Sequence, residues 1–236
     1  MPKPIPPLLL LITATTLSKP AIGENFMEAD YQQKMLLENS RRFVQLYLSE
    51  NASQLAYIKG PDKQKALARY EYLQALIHKQ NAKPNQPVAG KLLEALLSME
   101  LANAKHSLES LLDLEAAKNI LEQCCIDAIT AENAVAHALL GYLYFKVPPD
   151  PLSFGDKERG LQHLQKALEI DPEGAWPNYY YGIYLKETQQ PLPARRSLER
   201  AVVGRIPAGL SGIEVVIRRD TEEALKLFDH ATPDEP

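Results

Sequence analysis

The stretch Glu132–Arg205, ENAVAHALLGYLYFKVPPDPLSFGDKERGLQHLQKALEIDPEGAWPNYYYGIYLKETQQPLPARRSLERAVVGR, decides the fold. Within it Gly160, Leu164 and Ala167 recur as Ala194, Leu198 and Ala201, each 34 residues later. Gly141 recurs as Gly182 after 41 residues, which places a seven-residue insertion between Gly141 and Gly160. A fixed period of this length, with small and large apolar residues at constant offsets, marks stacked helix–turn–helix units. Small residues sit where two helices cross closely, and larger ones fill the gaps between them.

Upstream, the same pattern fades. Ala117, Leu121 and Cys124 repeat the second-helix offsets of Gly160, Leu164 and Ala167. A helix from Pro87 to about Lys105, with Leu92, Leu93, Leu96, Leu97 and Leu101 inward, precedes one starting near Ser107. Together they read as a third, degenerate unit. Before it, Gly60-Pro61-Asp62 signals a helix start with Asp62 as N-cap, followed by Ala66, Tyr70, Leu73 and Ile77 at helical spacing. Asn81 to Pro87 reads as a turn. Phe26 to Ser49 carries an imperfect helical stripe, broken at Asn51-Ala52-Ser53, a tripeptide that also matches an N-glycosylation acceptor, a pattern frequent by chance.

The insertion falls at Val147–Asp156, where Pro148, Pro149 and Pro151 forbid helix. Ser153 or Asp156 caps the helix that follows. The loop is expected to project from the turn between two helices, either as a binding element or as a packing loop that uses Phe154 to cover an exposed edge. Past Ile206 the period changes. Ile213, Val215, Val216 and Ile217 predict an extended segment, and Asp220-Thr221-Glu222-Glu223 has the spacing of a capping box before a last helix. Such a terminal helix would cap the stack.

At the N-terminus, Lys3, the apolar run Ile5 to Leu17 and Ala21-Ile22-Gly23 together read as a secretory signal cut after Gly23; an uncleaved anchor is the alternative. The run is too short for a membrane-spanning helix. No cysteine near the cut provides for a lipid anchor. Cleavage removes Lys3 and Lys19, moving the net charge from −4 to −6, which argues against general nucleic-acid binding. The expected organisation is a signal over 1–23, a helical region with one degenerate repeat over 24–130, two clear repeats over 131–206, and a cap and tail over 207–236.

Little in the chain points to catalysis. The five histidines are scattered in sequence without a metal-ligand spacing, and His137 falls at a repeat packing position. Cys124-Cys125 are adjacent, so their side chains diverge on a helix; they read as small buried residues, with an exposed thiol that pairs between chains as the alternative. There is no phosphate loop, nucleophile elbow or Cys-x-x-Cys. No enzyme activity, cofactor or metal is expected on these grounds.

The repeat resembles the tetratricopeptide repeat (TPR) family. One unit reads His137, Leu140-Gly141, Tyr144, then Gly160, Leu164, Ala167 and Pro172. The next reads Asn178, Tyr181-Gly182, Leu185, then Ala194, Leu198 and Ala201, with Pro207 one residue late. The resemblance covers 74 of 236 residues and implies an all-α helical-hairpin solenoid with degenerate N-terminal helices and a C-terminal capping helix. It also implies that the first helix of each unit lines a concave groove. The groove positions fall on Val135, Ala138, Tyr142, Phe145 and Lys146, then on Trp176, Tyr179, Ile183, Lys186 and Glu187. Tyr142, Phe145, Trp176, Tyr179 and Ile183, with Lys146 and Lys186 at the rim, are the expected partner-binding residues. Either a protein or peptide occupies them, or the chain fills its own groove with the Val147–Asp156 loop or the N-terminal helix.

TPR domains that clamp a peptide carboxylate use Lys, Asn and Arg at groove positions, a pattern this chain does not follow. The implied function is non-catalytic binding of a protein or peptide in the bacterial periplasm. The alternative is a small-molecule binding or transport accessory role, since the chain is distantly similar to the TPR subunits of tripartite substrate-binding transporters. Those subunits are usually lipid-anchored, and the cysteine this requires is missing.

Overall fold

The computed structural model describes residues 61–82, 86–105, 107–125 and 130–229. The leader-like segment over 1–23, the 26–49 stripe and the Asn51-Ala52-Ser53 tripeptide therefore lie outside the described residues. Among the described residues eight α-helices follow one another: α1 Pro61–Asn81, α2 Val88–Lys105, α3 Ser110–Cys124, α4 Ala131–Lys146, α5 Lys157–Ile170, α6 Ala175–Glu187, α7 Pro191–Val203 and α8 Glu214–Asp229. A 3₁₀ turn, Ala208–Ile213, precedes α8. No strand forms among the described residues, and no helix there is long and apolar enough to cross a membrane.

The fold is an all-α stack of helical hairpins, α2–α3, α4–α5 and α6–α7, the three most extensively packed helix pairs. Their first helices also touch in succession, α2 to α4 to α6 to α8, making one layer; α3, α5 and α7 form the other. The second-helix positions read from the sequence are all buried: Ala117, Leu121 and Cys124, then Gly160, Leu164 and Ala167, then Ala194, Leu198 and Ala201. Close crossing explains the glycines. A Cβ on Gly141 would stand 2.8 Å from the carbonyl oxygen of Gly160, and one on Gly182 would stand 2.8 Å from Leu198 Cγ.

Local signals fix the helix ends. Thr130 and Asn133 form a reciprocal capping box at the start of α4. Asp156 caps α5 by accepting from the backbone N–H of Glu158 and Arg159, both at 3.0 Å. Pro191 opens α7, where its missing N–H costs nothing. At α1 the expected cap Asp62 lies within the helical span Pro61–Asn81, and the residues before Pro61 lie outside the described residues.

The proline-rich insertion folds back on its own hairpin. Gly155 donates to the carbonyl of Pro148 at 2.9 Å, and Asp156 donates to that of Tyr144 at 2.8 Å. A side chain at 155 would collide with the Val147 carbonyl, so only glycine fits. Phe154 meets Tyr144 edge-on at 5.8 Å between centroids, while the Lys118 ammonium of α3 lies 5.0 Å from its ring. The loop therefore seals the α3/α4 edge and does not enter the groove.

The C-terminal region departs most from the sequence reading. Where an extended segment is expected, the chain forms the 3₁₀ turn and then α8, and Asp220–Glu223 lies inside that helix instead of capping it. Leu210, Ile213, Ile217, Thr221 and Ala224 are its buried residues, three or four apart. That is helical periodicity. The β-branched residues between them are less enclosed, Val215 being 53% exposed. Arg218 secures the segment: its guanidinium donates to the carbonyls of Ala201 at 2.9 Å, Val202 at 2.7 Å and Gly204 at 2.7 Å. These carbonyls lie at the end of α7, where backbone donors run out beyond the Gly204 N–H that reaches Ala201, so one side chain both caps α7 and docks α8.

Candidate functional site

The expected groove residues come from α4 and α6, whose adjacent first-layer positions put Tyr142 and Tyr179 near each other. Tyr142 packs against Tyr180 at 4.9 Å between centroids, and Tyr179 meets Tyr180 edge-on at 5.0 Å. Trp176 stacks beside Tyr180 at 6.2 Å. These four aromatics form one cluster. Trp176 is not on its surface, however. It is 2% exposed and shares the buried core with Leu210, Ile213 and Ile217 of the C-terminal segment.

The chain thus covers this end of its own first-helix layer. Residues 208–229 contribute to that cover and the insertion loop does not, while the 26–49 helix considered from the sequence lies outside the described residues. Two carboxyls close the cluster. Glu100 of α2 is half-buried, and its carboxyl is pushed up to about 8, by burial first, by Asp220 second, with Arg219 opposing. Asp220 of α8 is likewise raised by burial, against the pull of Arg219. Burial pushes the Tyr142 hydroxyl up to about 12, and those of Tyr179 and Tyr180 rise for the same reason, with the carboxylates adding to the effect. All three tyrosines are therefore neutral hydrogen-bonding groups at any ordinary pH.

The opposite ends of α4 and α6 are less covered. Phe145 and Tyr184 are half-buried and meet edge-on at 5.0 Å. Lys146 pairs with Glu187 at 2.9 Å across the two helices, with both side chains solvent-exposed. Lys186 is half-buried, with its ammonium 5.2 Å from the ring of Phe228 on α8. Ile183 is half-buried on α6. The expected set therefore divides. Tyr142, Trp176 and Tyr179 belong to a cluster under the C-terminal segment, while Phe145, Lys146 and Lys186 lie at the more open end. Tyr180, Tyr184, Glu100 and Asp220 join the two patches without having been expected from sequence.

Two further features stand outside the groove. A cleft of about 410 Å³ lies between α1, α2 and α3, with Glu94 at its edge. The Glu94 carboxylate is met by His78 Nδ1 at 2.6 Å and by the Asn81 side-chain N–H at 2.7 Å, which makes it an interhelical polar tie. The other feature joins α3, α4 and α5. Cys125 at the C-cap of α3, His137 on α4 and His163 on α5 place one ligand atom each within 4.8 Å of one another.

The two histidine rings are joined Nδ1 to Nδ1 at 2.9 Å. Sequence spacing hides this, because each residue comes from a different helix. His137, expected to be an isolated packing residue, is half of a pair. Burial pushes His137 down to about 4, with His163 and Lys166 adding, and lowers His163 as well, with Arg159 adding and Glu122 opposing. Burial also pushes the Cys125 thiol up to about 12, with Cys124 and Glu122 adding. No family model, curated protein sequence or solved structure matches the chain.

Proposed function

We propose that this protein is a non-catalytic, TPR-like scaffold of the bacterial envelope that holds a protein or peptide segment on the α4/α6 face. One observation carries the reading: the half-buried Phe145–Tyr184 pair, flanked by the exposed Lys146–Glu187 ion pair and by Lys186, lies at the end of that face. An aromatic centre inside a charged rim is the composition that dominates protein interfaces. The TPR-like character is supported by two hairpins with the same close crossing, Gly141 on Gly160 and Leu164, and Gly182 on Ala194 and Leu198. The envelope location rests on the leader-like N-terminal sequence alone.

The test is a double variant, Phe145→Ala with Tyr184→Ala, compared with the parent for capture of envelope partners. Because both side chains are only half-buried, the variant is expected to keep its helical circular dichroism. Capture should fall by tenfold or more, the effect of losing aromatic anchors. A folded double variant that retains the same partners at the same level would overturn the assignment.

A further inference from the structure

We infer that Cys125, His137 and His163 form a binding site for a single zinc-type metal ion, the three side chains converging from α3, α4 and α5. The ligand set is the first support: two imidazoles and one thiol are the donors that borderline and soft ions such as zinc prefer. Geometry is the second. A tetrahedral zinc with bonds of about 2.0–2.1 Å to nitrogen and about 2.3 Å to sulfur sets its nitrogens about 3.3 Å apart and nitrogen to sulfur about 3.6 Å apart. Here the two Nδ1 atoms stand 2.9 Å apart, and all three ligand atoms lie within 4.8 Å. Opening the histidine pair by a few tenths of an ångström and drawing the sulfur in by about 1 Å would complete three corners. Solvent reaches these half-buried side chains and would supply the fourth.

The surrounding packing holds the ligands in place. The Asn133 side chain donates to the carbonyl of Cys124, tying the end of α3 to the start of α4 and thereby fixing the position of Cys125. The Tyr144 ring stacks on His163 at 5.7 Å between centroids, tilted by only 10°. Tyr144 is itself held by Arg159, 4.4 Å above its ring, and donates its hydroxyl proton to Glu122 at 2.7 Å. Orienting groups of this kind tune a metal site as much as its ligands do.

The proton balance is simple. Each neutral imidazole keeps one N–H, moved to Nε2 where Nδ1 binds the ion. The Cys125 thiol releases its proton to solvent and binds as thiolate. A metal here would link three successive helices across the boundary between two hairpins.

Cobalt(II) and zinc(II) titrations of the reduced, full-length protein test this directly. Cobalt should give a thiolate-to-metal charge-transfer band in the near ultraviolet and intense visible bands of a four-coordinate ion, saturating at one equivalent. Zinc should displace it and raise the melting temperature by several degrees. Cys125→Ser should abolish the charge-transfer band and weaken zinc binding by at least tenfold, whereas Cys124→Ser should leave both unchanged. His163→Gln should weaken binding by a similar factor while keeping a thiolate band at high cobalt. A parent protein whose cobalt spectrum shows only the weak bands of six-coordinate oxygen ligation would overturn the inference. So would zinc affinity unaffected by Cys125→Ser.

Discussion

The two crossing glycines differ in what a methyl group would strike, and that difference can be measured. Replacing a helical glycine by alanine normally stabilises by about 1 kcal/mol through helix propensity. At Gly141 the new Cβ would meet the Gly160 carbonyl oxygen at 2.8 Å and the Leu164 backbone nitrogen at 2.9 Å, so α4 and α5 must separate. At Gly182 the close contacts are side-chain atoms of Leu198, with the nearest backbone atom, the Ala194 oxygen, at 3.3 Å. Leu198 can turn, whereas backbone cannot.

Overpacking a tight contact costs about 1–3 kcal/mol. Backbone contact puts Gly141→Ala in the upper part of that range, so against the propensity gain it should come out destabilising by about 1–2 kcal/mol, and Gly182→Ala within about 1 kcal/mol of neutral. In a domain of this size that is a fall in melting temperature of roughly 2–8 °C for the first and at most about 4 °C for the second. Thermal circular dichroism at 222 nm, with both variants and the parent in one buffer, reads the difference. Equal melting temperatures for the two variants, or a lower one for Gly182→Ala, would refute the crossing geometry.

Three further outcomes are expected. Trp176→Ala should cost about 3–5 kcal/mol, as a cavity in a core does, and the parent's tryptophan emission should already be strongly blue-shifted; emission at the solvent-exposed wavelength would contradict the burial of Trp176. Glu100 is faced by Asp220 and Arg219 on α8, by Tyr142 on α4 and by Tyr179 and Tyr180 on α6. Its folded pKa lies above its unfolded value. The resulting stability is therefore complete below about 4.5, falls as pH rises through about 8, and is flat beyond. The loss is on the order of 5 kcal/mol, and Glu100→Gln should remove it, raising the melting temperature at pH 9 relative to the parent; an unchanged pH profile would count against the buried carboxyl. Arg218→Met should cost about 2–3 kcal/mol and accelerate amide exchange in α8 far more than in α2, and uniform acceleration would show that Arg218 does not hold that helix.

The hairpin stack was legible because its information is periodic and local. Gly160, Leu164 and Ala167 recur as Ala194, Leu198 and Ala201, and all six are buried at the helix crossings. Asp156 could be read as a cap because capping needs only neighbouring residues. The C-terminal segment was misread because Ile213, Val215, Val216 and Ile217 are dense in β-branched residues, while the buried spacing of Ile213, Ile217, Thr221 and Ala224 is helical. Propensity is a weak guide where tertiary burial decides. The repeat register puts Trp176 on the groove face and leaves open whether a partner or the chain itself covers it; it does not single out the 208–229 segment. Cys125, His137 and His163 lie 12 and 26 residues apart along the chain, so only packing brings them together.

Placing a benzophenone amino acid at position 145 in cells, and separately at position 192, tests the binding face most directly. Phe145 is at the aromatic end of the α4/α6 layer, and Leu192, 72% exposed on α7, belongs to the other layer. Irradiation should yield a discrete cross-linked partner from position 145 and none from position 192. No adduct at 145, or the same adducts from both positions, would contradict a partner held on that face.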